Sequence, residues 1–150
     1  MRHFHTLDEG FIRLMRRHSV AILRIALGVV FLWFGLLKVF GESPVREFIA
    51  LTYSFLPADP FILVLGVWET AIGLGLIFKK FLRVTLGLLW LQMLGTFGVF
   101  LLEPSMFFSG GNPLLLTMEG EFVVKNIVLA ASGIVIGGYA VGPFTEQKPE

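Results

Sequence analysis

Apolar residues arrive in four long runs, separated by short polar or turn-rich stretches. The runs cover about residues 20–40, 60–78, 81–102 and 119–142. Each is near the length at which a helix crosses a hydrocarbon core. After the first run, Gly41 stops the helix, and Ser43-Pro44 suits an N-cap and first helical position. Val45, Phe48, Ile49 and Tyr53 then share one side, which predicts a short interfacial helix over 44–54. Leu56-Pro57-Ala58-Asp59-Pro60 turns the chain back. Lys79, Lys80 and Arg83 make a tight basic turn between the second and third runs. Glu103-Pro104 ends the third. The stretch 103–117 is rich in turn residues, and its Leu114-Leu115-Leu116 is placed to dip into an interface.

Residues 1–19 are polar and basic, with Arg2, Arg13, Arg16 and Arg17 around Asp8 and Glu9. Phe11, Leu14 and Met15 recur at helical spacing, as in a short amphipathic helix lying on an anionic leaflet. The apolar run behind it is too long for a signal-peptide core, and no small-residue cleavage site follows, so the segment reads as an anchor. Residues 143–150 form a polar tail.

These elements predict an all-α integral membrane four-helix bundle in a single membrane domain, with short interfacial helices. The N-terminal tail and the Lys79–Arg83 turn are basic; the first opposite connection holds only Arg46, and the second no Lys or Arg. Both termini are therefore expected in the cytoplasm. Arg24-Ile25-Ala26-Leu27-Gly28 matches Arg83-Val84-Thr85-Leu86-Gly87, and Ala71-Ile72-Gly73 resembles Ala131-Ser132-Gly133. A duplicated two-helix hairpin in parallel orientation and a chance match of short apolar strings both explain this.

Composition agrees with a bilayer: 55% of the 150 residues are hydrophobic and 15% charged, against roughly 25% charged in soluble domains. A net charge of +1 implies no polyelectrolyte partner. Nucleic acid is not expected, because the basic residues form no aromatic-interleaved face. The absence of cysteine excludes disulfides, thiol redox chemistry, iron–sulfur clusters and thiolate zinc sites. His3, His5 and His18 all lie in the N-terminal tail; His3-x-His5 reads as solvated tail rather than metal site. No histidine lies in an apolar run, which excludes bis-histidine haem ligation within this chain.

Glu69 stands near the middle of the second run, where an ionised group costs several kcal/mol. Its helical neighbours are Leu65, Gly66, Ile72 and Gly73. Small residues mark close helix approach, so Glu69 is expected to face other helices. Thr85, Gln92 and Thr96 form one stripe on the third run, with Gln92 at similar depth. Lys38 lies within a turn of its run's end and can snorkel outward or pair with a carboxylate; Arg24, near the inner end, can snorkel to the headgroups. In the fourth run, Glu121 and Lys125 stand at i and i+4 in the favourable order. Asn126, Ala130, Gly133 and Gly137 form a small-residue stripe with a GxxxG pair. Lys38, Glu119, Glu121 and Lys125 fall in the outer half, and Glu69 and Gln92 deeper. Trp33, Trp68 and Trp90 are within the runs, as pocket walls or general packing. Two readings stay open: a Glu–Lys pairing that fixes helix register, or an outward polar pocket for a small molecule, a quinone headgroup or a proton. No triad, phosphate-cradling loop or metal set is present, so the chain reads as not an enzyme by itself.

Three stretches resemble a known family: the first run with Trp33, Gly35 and Lys38; Gly66-x-x-Glu69-x-x-x-Gly73; and Glu119-Gly120-Glu121-Phe122-Val123-Val124-Lys125-Asn126. Over about residues 20–140 the chain resembles the DoxX-like superfamily of small four-helix bacterial membrane proteins, nearest to the branch with the inner-membrane reactive-chlorine-resistance protein. The resemblance implies a bundle without a prosthetic group in the bacterial cytoplasmic membrane. It implies an accessory role in oxidant-stress or redox physiology, or a quinone-interacting subunit of an oxidoreductase with a soluble partner that holds the redox centre. A small-molecule or proton transporter is the third reading, and a homo-oligomer is compatible with each. The connection from Gly41 to Asp59 is much shorter than in the chlorine-resistance type.

Overall fold

The computed structural model describes residues 2–43, 46, 49 and 57–141, without the side chains of residues 2–8 and 102. Four helices make up nearly all of it: α1 (Arg2–Val39), α2 (Ala58–Phe78), α3 (Leu82–Leu102) and α4 (Met118–Ala140). Each is long and apolar enough to cross a membrane, and no strand forms among the described residues. The protein is an all-α four-helix bundle of membrane-spanning type. Most of the helix expected over 44–54, all of the tail 143–150, and the His3 and His5 side chains lie outside the described residues.

Helix α1 has 38 residues, about 57 Å of helix. No proline interrupts it, so the basic segment expected as a separate helix runs into the first span without a break. The helices form a ring in the order α1, α2, α3, α4, with α4 closing against α1. The α1–α2 contact is by far the most extensive.

Glycines explain that contact. A Cβ at Gly35 would stand 2.5 Å from the Thr70 backbone nitrogen and 2.8 Å from the Gly66 carbonyl oxygen. One at Gly73 would stand 2.5 Å from the Leu32 nitrogen and 2.8 Å from the Gly28 oxygen. These are backbone atoms, which cannot turn aside as a side chain would. Gly28 therefore faces Gly73 and Gly35 faces Gly66, and the two backbones touch. Between helices in lipid, such close van der Waals packing replaces the hydrophobic drive.

The second hairpin is packed differently. The nearest atom to a Cβ at Gly133 is a Leu89 side-chain carbon at 3.2 Å, and at Gly137 a Leu86 carbon at 3.6 Å. Gly87, the counterpart of Gly28 in the sequence repeat, meets nothing within 4 Å. The two hairpins do not share one packing scheme.

The α2–α3 turn is tight. Lys79 (φ 56°) and Phe81 (φ 48°) both adopt the left-handed region, uncommon for residues with a side chain. Thr85 steadies the turn, donating from Oγ1 toward the carbonyls of Phe81 (3.2 Å) and Lys80 (3.3 Å). Arg24, near the same end of its span, donates to the carbonyls of Leu76 and Ile77. It thus serves carbonyls that the last turn of α2 leaves without helical partners.

At the other end, residues 103–117 fold back on the bundle. Phe107 is fully buried with Val99 and Val123. Thr117 caps α4: its Oγ1 accepts from Gly120 N at 3.1 Å and donates to the Met106 carbonyl at 2.7 Å. Leu114 and Leu115 stay exposed at the loop tip. The main core holds Leu27, Phe31, Ile72, Leu76, Leu89 and Ile136, whereas Val64, Leu94, Val128 and Ile134 face outward.

Candidate functional site

Lys38 stands in the last turn of α1 and Glu69 midway along α2. A Cβ at Gly66 would lie 2.8 Å from the Lys38 Cβ, so the missing side chain leaves room for the lysine stem. Lys38 Nζ donates to Glu69 Oε2 at 2.6 Å. Gln92 Nε2 on α3 donates to the other oxygen, Oε1, at 2.9 Å. Thr96, one turn further along α3, donates to the Gln92 carbonyl at 3.1 Å. Lys38 and Glu69 are buried, with relative exposures of 7% and 8%. Charge-assisted bonds of this kind are short and strong. Three helices thus converge on one carboxylate, and the cluster is neutral as a unit.

A cavity of about 450 Å³ opens beside the cluster, reached by all four helices. Its walls are mostly apolar, with Phe31, Phe34, Phe61, Leu65, Trp68 and Phe122 prominent. The polar lining is Lys38, Glu69, Gln92 and Thr96 on one side, and Glu119 and Asn126 of α4 on the other. Trp68 is held in place by donating from Nε1 to the Leu88 carbonyl at 3.2 Å. The size and the few convergent polar groups are those of a small-molecule site.

The remaining sequence candidates lie elsewhere. Glu121 and Lys125 pair with each other at 3.3 Å on an exposed face of α4 and do not line the cavity. Trp33 and Trp90 are exposed. Gly66 and Gly73 pack α2 against α1, while Gly133 and Gly137 make only side-chain contacts with α3. Thr85 belongs to the opposite end of the bundle. Among the described residues no three His, Cys, Asp or Glu side chains come together as a metal site.

Sequence reasoning passed over Gly28 and Gly35 as partners of Gly73 and Gly66. The signal was present, since both pairs are spaced by seven residues. It also passed over Phe34, Phe61 and Phe122, which sit in apolar runs where any aromatic looks like ordinary packing. Thr70 Oγ1 is buried without a hydrogen-bond partner among the described residues, directed at the space above Gly35. No family model, curated protein or solved structure matches the chain.

Proposed function

We propose that this chain is a DoxX-like protein of the bacterial cytoplasmic membrane, with both termini inside. It serves as an accessory component of oxidant-stress or redox physiology by holding a small molecule in its outward-opening pocket. The observation that carries this reading is the position of the Lys38–Glu69–Gln92 cluster on the wall of a roughly 450 Å³ cavity. A pair needed only for helix register would be stable in solid packing. Here it borders open space shared with Thr96, Glu119 and Asn126. The test is to isolate the chain from native membranes in mild detergent and analyse the small molecules that travel with it. Cavity-filling Gly95→Phe, at a lining position where an added Cβ meets no atom within 4 Å, should remove them without unfolding the bundle. If the same molecules remain bound to that variant, the pocket is not their site.

A second reading is a quinone-interacting subunit of an oxidoreductase. It is favoured by the aromatic, largely apolar walls, with the Asn126 amide as a donor for a quinone carbonyl. The quinone would supply the redox chemistry; the chain's own residues would orient its headgroup and exclude water. This reading requires a soluble partner bearing a flavin or metal centre, so co-purification of such a partner separates it from the first.

A further inference from the structure

The charges at the cavity's end of the bundle do not balance. There, Lys38 is paired with Glu69, Arg46 with Asp59 and Lys125 with Glu121. Among the described residues, Glu42, Glu103 and Glu119 have no cation beside them. Of these, only Glu119 lines the cavity. The Lys38 charge is offset by Glu69, whose Oε2 lies 2.6 Å from the ammonium, so the pair brings no net positive charge to a guest anion. One cation and two carboxylates line the space, which leaves its lining one negative charge in excess.

The walls suit the same sign. Phe31, Phe34, Phe61, Trp68 and Phe122 line the cavity. Aromatic faces attract cations through their quadrupole, most strongly when both are out of water. Phe34, Phe122 and Val30 of this lining are partly exposed.

We infer that the cavity binds a lipophilic organic cation, an apolar or aromatic body carrying one positive centre, with Glu119 as its counter-charge and the aromatic walls as its sheath. This rests on the pocket being a small-molecule site, and it does not hold under the neutral-quinone reading.

The experiment uses the full chain in lipid nanodiscs and two probes of nearly the same shape and opposite charge, tetraphenylphosphonium and tetraphenylborate. Equilibrium binding is measured for each, with a short-chain quinone as the neutral comparison. Tetraphenylphosphonium should bind saturably and the borate should not. Glu119→Gln should weaken the cation at least tenfold. Glu121→Gln, two residues along the same helix but outside the cavity, should leave it unchanged. Unfolding midpoints of both variants show whether the bundle is intact, and Phe122→Ala provides a second, uncharged disruption of the site. Equal binding of both ions, or a Glu119→Gln variant as tight as the parent, overturns the inference. Saturable binding of the quinone alone overturns it too, while leaving the pocket a small-molecule site. If no probe binds and native membranes yield no bound molecule, the pocket reading falls with it.

Discussion

Lys38 reaches Glu69 because position 66 has no side chain. The lysine Cβ lies 2.8 Å from where a Gly66 Cβ would stand, and its Nζ ends 2.6 Å from Glu69 Oε2. The ion pair and the glycine seam are thus one construction. A larger residue at 66 would displace the lysine and part the helices together.

The pair itself can be tested by a double-mutant cycle. Lys38→Met leaves a buried carboxylate uncompensated, and Glu69→Leu leaves a buried ammonium. Each should destabilise the bundle by about 3–5 kcal/mol, whereas the combined variant should recover most of the loss. Thermal unfolding in detergent reads all three. Strictly additive losses would mean that the two residues do not interact. The combined variant also separates structure from function: stable but inactive in oxidant survival, it makes the cluster part of the site; stable and active, it makes the cluster a register device.

Glycine positions should divide sharply. Gly73→Ala drives a methyl into the Leu32 backbone and should cost about 1–3 kcal/mol. Gly87→Ala meets open space and should be neutral or stabilise the helix by about 0.5–1 kcal/mol. Similar melting points for the two variants would show that the α1–α2 seam is not as close as described.

Much of this was legible in the sequence. Run length and the polar breaks located α2, α3 and α4 to within a few residues, because a bilayer-length apolar run admits few other structures. Glu69 and Gln92 stood out because polar groups at that depth are costly, and they are bonded. The fate of Lys38 was not legible. Snorkelling and pairing fit the same position, and only the distance between α1 and α2 decides between them. The Arg24 bonds to the α2 terminus were not legible for a related reason: its reach depends on the glycine seam. The α4 residues looked alike in sequence, yet Glu119 and Asn126 line the cavity while Glu121 and Lys125 do not. That division follows from the rotation of α4 about its axis, which an apolar run with little amphipathic contrast does not reveal.

Lys125→Met and Glu121→Gln should therefore change little. Exposed i,i+4 pairs are worth about 0.3–0.5 kcal/mol, so both variants should unfold within a degree or two of the parent. A large loss would place Lys125 in the buried cluster.

The proposed orientation has its own test. The chain has no cysteine, so single cysteines report cleanly. Ser109→Cys, on the exposed loop after α3, should react with an impermeant maleimide in intact cells. Lys80→Cys, in the α2–α3 turn, should react only after the membrane is opened. The reverse pattern would invert the topology.

The unequal packing of the two hairpins also determines which part of the molecule can move. Helices α1 and α2 meet backbone to backbone and cannot slide or rotate without collision, so they act as a single rigid body. Helices α3 and α4 meet through side chains that can change rotamer, with glycines such as Gly87, Gly95 and Gly98 free of neighbours. Any breathing of the cavity would therefore fall to the second hairpin, the one that carries Gln92, Glu119 and Asn126. Such a movement would strain the Gln92 bond to Glu69 and spare the Lys38 pair, which lies within the first hairpin, so the carboxylate would keep its counter-ion as the pocket changed size.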